Sequence, residues 1–180
     1  MLSTLSDTQR KKLEKILRVN HAGEFGAVRI CQGQLDALPD DRAIQHIAAQ
    51  EQEHFDYFQK SLIENGVSPT LFKPLWSALG YGLGYIGGKS GSKAAHACTV
   101  AIEEVIIDHY SQQLKELETF PDTKEIQDIR RAIQTFLNEE AEHCHSAEVD
   151  GHGKEAPGYP VISRVIKGFS KFAIAVSKRL

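Results

Sequence analysis

Cysteine is scarce and scattered in this chain: only Cys31, Cys98 and Cys144 occur in 180 residues. None forms a CxxC pair, which excludes a zinc ribbon and a rubredoxin-type iron site. An odd number of thiols in an ordinary globular composition points to free cysteines in a reducing compartment. No run of about 20 uninterrupted apolar residues occurs, so no segment reads as a membrane span. The opening residues, MLSTLSDTQRKKLEK, lack an apolar core, which predicts no secretory signal. Period-two alternation persists nowhere, which argues against a sheet. Neither charge sign dominates, and a net charge of −3 gives no whole-molecule reason to expect nucleic acid.

What is present is helical periodicity. With 41% hydrophobic and 25% charged residues, the chain can bury a core, and its length suits one domain spanning residues 1–180. Ser6 is placed to cap a long helix running to about residue 38. The Pro39-Asp40-Asp41 break starts a second helix, roughly 40–65, which Asn65-Gly66 ends. Two more long helices are expected at about 93–118 and 122–148, separated by Phe120-Pro121-Asp122. Residues 71–88 are apolar and glycine-rich, and residues 160–180 form an amphipathic segment. The expected fold is all-α: a four-helix bundle with two additional apolar or amphipathic helices.

Two of the four long helices carry Glu-x-x-His, at Glu51–His54 and Glu140–His143. Residues three apart share a helix face, so each pair can present a carboxylate and an imidazole to one point. The helix before each pair contributes a further glutamate, Glu24 in one case and Glu103 or Glu104 in the other. Such motifs also occur as solvated surface charge, and the helical stripe separates the two readings. At about 100° per residue, Glu51 centres on the stripe of Ile44, Ile47, Phe58 and Leu62, with His54 at its edge. Glu140 and His143 follow Ile126, Ile129, Ile133 and Phe136, whereas Glu142 and His145 point away. Leu13, Ile16, Leu17 and Cys31 bracket Glu24. Glu103 aligns with Ile106, Ile107, Tyr110 and Leu114, and Glu104 is rotated off.

The expectation is therefore Glu24, Glu51, His54, Glu103, Glu140 and His143 around two metal ions. Four buried carboxylates need a cation, and no lysine or arginine shares their level on the stripes. Oxygen-rich sites with one imidazole per metal suit iron or manganese better than zinc. This ligand set is that of ferritin-like di-metal proteins.

The apolar segments bear on what such a centre would act on. Residues 71–88 hold Leu71, Phe72, Leu75, Trp76, Leu79, Tyr81, Leu83, Tyr85 and Ile86, with glycines that permit close helix approach or a greasy channel. In residues 160–180, an apolar face of Val161, Ile162, Val165, Ile166, Phe169, Phe172, Ala173, Val176 and Leu180 opposes Arg164, Lys167, Lys171, Lys178 and Arg179. Both are candidate membrane-contacting elements that would suit a lipidic substrate, and the pattern of residues 160–180 equally fits an ordinary bundle-packing helix with solvated lysines.

The stretches Arg18–Ala27 (RVNHAGEFGA), Ala97–Glu104 (ACTVAIEE), His109-Tyr110, Glu139–His143 (EEAEH) and Phe172–Leu180 resemble the demethoxyubiquinone hydroxylase family. The resemblance runs from Arg18 to the C-terminus. It implies a membrane-associated di-iron monooxygenase that hydroxylates the ring of demethoxyubiquinone or its quinol with dioxygen, in ubiquinone biosynthesis. It carries the same six ligands, two iron ions per chain, and NADH as a source of electrons. It also links His109 and Tyr110 to electron delivery, although Asp108 stands where some members have a second histidine. A partner protein of the same pathway and a homo-oligomer are left open by the sequence, and the membrane association implies a peripheral location. That location is the cytoplasmic side of a bacterial cell membrane or the matrix side of the inner mitochondrial membrane. The competing readings are an iron-storage subunit, a rubrerythrin-type peroxidase that the missing CxxC disfavours, and a metal-free membrane adaptor.

Overall fold

A computed structural model describes residues 5–178, which form helices and turns without a strand. Helix α1 (Asp7–Ala37) starts at a reciprocal box in which the Ser6 hydroxyl accepts from the Gln9 backbone and the Gln9 side chain accepts from the Ser6 backbone. Helix α2 (Arg42–Asn65) is capped by the Asp41 carboxylate and ends at Gly66, whose left-handed backbone closes the last turn. Helix α3 (Lys73–Lys89) carries the glycine-rich segment. Helices α4 (Ser92–Leu117) and α5 (Lys124–Val149) follow, the second capped by Thr123. A 3-10 turn at Gly153–Glu155 leads into α6 (Tyr159–Ser177), so Arg179 and Leu180 lie outside the described residues.

Helices α1, α2, α4 and α5 enclose the core. Leu13 and Leu17 of α1, Phe58 and Leu62 of α2, Leu117 of α4, and Ile126 and Ile133 of α5 fill one end. The ends of four helices meet there, so each contributes the apolar residues that its period of 3.6 places inward. Helix α3 lies on the outside of α1, and α6 lies on α4, adding a second cluster of Cys98, Ala101, Ile102 and Ile166. Asp41 ties the bundle's other end by accepting from Ser92 and bonding His96 of α4, at 3.1 Å each.

The α1–α3 contact is backbone on backbone. A Cβ on Gly84 would collide with the Ile30 carbonyl, and one on Gly33 with the Tyr81 carbonyl, whereas Gly82 faces open space. Gly84→Ala should therefore destabilise the protein by about 1–3 kcal/mol through overpacking. Gly82→Ala should instead stabilise it by up to about 1 kcal/mol, the helix-propensity difference. Urea unfolding of the two variants checks the contrast, and equal effects would contradict it.

Two stripe assignments differ from the sequence reading. The first half of α4, from Ala95 to Glu103, is buried on every side because α3 and α6 cover what would otherwise be its outer face, while Ile106, Ile107 and Leu114 are only partly buried. The apolar face expected of α6 splits in two. Ile166 and Ser163 are buried, and Phe169 and Ala173 face the cavity described below, but Val161, Val165 and Phe172 are 60–66% exposed. The stripe is wider than the groove that α6 fills.

Candidate metal centre

The helical faces converge midway along the bundle. Glu24, Glu51, His54, Glu103, Glu140 and His143 are all buried. Their side-chain atoms form two groups, each with every ligating atom within 4.8 Å of the others: Glu24, Glu51, His54 and Glu140, and Glu51, Glu103, Glu140 and His143. Glu51 and Glu140 belong to both. Glu140 places Oε1 3.2 Å from His54 Nδ1 and Oε2 3.1 Å from His143 Nδ1. Glu51 likewise turns Oε2 toward His54, at 3.9 Å, and Oε1 toward His143, at 3.3 Å. Two carboxylates thus span two positions, each flanked by one further glutamate and one imidazole.

The neighbours set aside from sequence lie elsewhere. Glu104 is half-buried and paired with Lys154 and Lys167, and Glu53, Glu142 and His145 are exposed. A helix turns residue i+1 by about 100°, enough to move Glu104 from the interior to the surface.

The electrostatics of these six groups would favour bound cations. Burial, then the other carboxylates, push Glu24 and Glu103 well above the ordinary carboxylate range, and Glu51 moves the same way. Burial opposes ionisation of Glu140 too, but bonds from His143 and His54 outweigh it and hold the group down to about 2. Burial would lower His143; its bond to Glu140 and the negative charge of nearby Glu51 prevail and raise it to about 10. His54 is raised by the same balance. Both oxygens of Glu51, Oε2 of Glu24 and Oε2 of Glu103 are buried without a hydrogen-bond partner. Among the described residues, no lysine or arginine lies within ion-pair distance of the four carboxylates. Unpartnered buried oxygens of this number are costly, and two divalent cations would satisfy them. The donor set of four carboxylates with one imidazole per position fits iron or manganese.

Sequence spacing alone did not reveal the residues that hold this cluster from outside. Glu139 Oε2 lies 2.7 Å from His54 Nε2, and Gln50 Oε1 lies 3.0 Å from His143 Nε2. The signal was present: each immediately precedes a Glu-x-x-His segment. Tyr110 donates to Glu24 Oε1. Asn20 and Gln113 exchange hydrogen bonds of 2.9 and 2.6 Å between α1 and α4, and Gln113 also donates to His109 at 2.8 Å.

His109 and Tyr110 therefore part company. Tyr110 is buried against the centre, while His109 faces a cleft of about 520 Å³ lined by Lys15, Asp108, Lys171 and Lys178. Burial, with Lys178 nearby, lowers His109 to about 4, so its imidazole is neutral at ordinary pH.

A second feature adjoins the centre. An apolar cavity of about 90 Å³ lies between α1, α3, α4 and α6. Gly23 and Ile102, the immediate neighbours of Glu24 and Glu103, line it, as do Trp76 and Phe169, which meet edge to face at 6.0 Å. His109 does not line it.

The profile of the family described as ubiquinone biosynthesis protein COQ7 matches residues 11–177. The chain belongs to the COQ7 family. Three relatives illustrate the range. The chain is 40% identical to the mitochondrial NADPH-dependent 3-demethoxyubiquinone 3-hydroxylase of Dictyostelium discoideum, over 99% of this chain and 84% of that one. It is 37% identical to the human protein of the same name, over 98% and 82%. It is 41% identical to the 3-demethoxyubiquinol 3-hydroxylase of Rhodospirillum rubrum, over 93% and 78%. The names of the first two carry NADPH, where the resemblance drawn from the motifs implied NADH. The COQ7-family match spans nearly all of the described chain, from residue 11 in α1 through the end of α6.

Proposed function

We propose that this COQ7-family chain is a single ferritin-like domain that hydroxylates the ring of demethoxyubiquinone or its quinol in ubiquinone biosynthesis, at a di-iron centre. The observation that carries the reading is the apolar cavity backing onto the carboxylate cluster through Gly23 and Ile102. A storage or ferroxidase subunit would need the cluster but not this cavity.

Glu24, Glu51, His54 and Glu140 would hold one iron, and Glu51, Glu103, Glu140 and His143 the other. When bound, the two ions supply activation of dioxygen beside the ring. The rest is the protein's own work. Trp76, Phe169, Ile102 and Ile106 exclude water and orient an apolar ring, and the glycines of α1 and α3 let it approach the helix backbone. Tyr110 fixes one oxygen of Glu24 and supplies a proton there. Tyr110→Phe should keep both metals yet lower turnover about tenfold or more, the usual worth of a hydrogen bond to a charged group. Metal content and product formation check this, and unchanged turnover would remove the role.

The cavity lies between α3 and α6, which with the turn before α3 carry most of the exposed large apolar side chains: Leu71 just before α3, Leu75 and Ile86 on α3, and Val161, Val165 and Phe172 on α6. Arg164 and Lys171 flank them on α6. These elements would seat the protein on an anionic membrane surface, with the prenyl chain entering from the lipid. No described helix is long and apolar enough to cross a membrane. The location would then be peripheral, on the cytoplasmic face of a bacterial membrane or the matrix face of the inner mitochondrial membrane. The reductant would be a pyridine nucleotide. A pathway partner that presents the lipid, and a second copy of the chain, are compatible with the same exposed surface.

The test is reconstitution with ferrous iron, then a short-chain demethoxyubiquinone analogue with NADH or NADPH under air. Hydroxylated product is expected. A di-iron protein that oxidises ferrous iron to mineral and forms no product would replace this reading with storage.

A further inference from the structure

Glu139 and Gln50 occupy corresponding positions. Each immediately precedes the glutamate of a Glu-x-x-His segment, and each bonds the histidine of the opposite segment: Glu139 on α5 reaches His54 on α2, and Gln50 on α2 reaches His143 on α5. Both bonds go to Nε2. That fixes the rings so that Nδ1 of each faces the carboxylates, at 3.2 Å for His54 and 3.1 Å for His143 from Glu140. The exchange is symmetric in geometry and asymmetric in charge, because one acceptor is a carboxylate and the other an amide.

We propose that Glu139 and Gln50 are positioning residues that make the two metal positions unequal, the one served by His54 being the tighter. This inference rests on reading the centre as a two-metal site. A carboxylate accepting from Nε2–H leaves more electron density on Nδ1 than an amide oxygen does, and a ligand imidazole so supported binds a cation more strongly. Glu139 also adds a negative charge close to one position only. It is not itself a ligand, since it sits on the far side of the imidazole and its side chain is 30% exposed. Unequal positions would give the two ions distinct affinities, so the centre has one defined end at which loading begins.

The experiment is anaerobic titration of the metal-free protein with cobalt(II), followed by visible absorption. The wild type should take up two ions in steps at least about tenfold apart. Glu139→Gln keeps a hydrogen-bond acceptor and removes the charge. It should close the gap by weakening the first step about 10–100-fold. Gln50→Glu should close it from the other side by strengthening the second step, and it carries the test alone if the first variant fails to fold. The double exchange E139Q/Q50E should reopen the gap. A bond that merely staples α2 to α5 would not respond in this way. A wild type with two equal steps, a gap that survives both single exchanges, or one that fails to reopen in the double exchange overturns the inference. Uptake of fewer than two ions by the wild type would overturn the two-metal reading itself, so the two failures are distinguishable.

Discussion

Glu103→Leu should abolish turnover and at the same time make the metal-free protein more stable. Glu103 is buried in α4, and its Oε2 has no partner. Burial and the neighbouring carboxylates push it well above the ordinary range, so folding without metal forces it to hold a proton or an uncompensated charge. Replacing such a group with an apolar residue of similar size typically stabilises a fold by about 1–4 kcal/mol. In a chain of this length each kcal/mol raises the melting temperature by about 2–4 °C. The same substitution removes one carboxylate from the group of Glu51, Glu103, Glu140 and His143. Metal content should fall by at least one ion, and hydroxylation should drop about a thousandfold or more, the loss expected when several kcal/mol of metal-supplied stabilisation disappear. Melting of the metal-free variant, metal analysis and the quinone assay together check this. A variant that melts lower than the wild type without metal would show that Glu103 supports the fold rather than strains it.

The second large effect is on pH. Metal-free protein should lose stability as pH rises between about pH 5 and pH 8, and metal-loaded protein should not. Glu24 and Glu103 have folded values raised well above the ordinary 4.5 by burial. Below 4.5 both folded and unfolded chains hold these protons, and stability is complete. Above it the unfolded chain releases them while the folded chain retains them, so stability is lost as pH climbs toward the folded values. The histidines act in the same direction. His143, raised from 6.5 to about 10 by its bond to Glu140 and the nearby Glu51 carboxylate against the opposing effect of burial, stabilises fully below 6.5 and progressively less above it. Glu140 behaves oppositely, its contribution being lost only as pH falls from 4.5 toward about 2, outside this window. Metal ions require these same groups deprotonated, so their affinity grows with pH. The gap in melting temperature between loaded and metal-free protein should therefore widen from about pH 5 to pH 8. A constant gap would show that the six groups are not the ones that bind.

Both effects arise from groups that spacing on individual helices had already singled out. The repeat of 3.6 residues per turn is local and rigid, so it decides which residues share a face before any helix meets another. That is why Glu103 could be separated from Glu104, and the Glu140–His143 pair from Glu142 and His145. The order Glu, Glu-x-x-His, Glu, Glu-x-x-His, read on four amphipathic stripes, was enough to specify an all-α bundle with a cation-seeking interior.

Contacts between helices were another matter. Nothing in the spacing within α2 says that Gln50 meets His143, 93 residues away, or that Glu139 meets His54 across 85. The amide pair of Asn20 and Gln113 and the division of α6 into a packed and an exposed face are of the same kind. Each depends on the rotation and register of one helix against another, which the packing of side chains from both helices sets jointly. The sequence by itself determined the helices, the inward carboxylates and the two imidazoles. Only the tertiary structure decided which nitrogen of each imidazole faces inward, what stands behind it, and that an apolar cavity closes against the centre, because those depend on distances between elements that no single helix encodes.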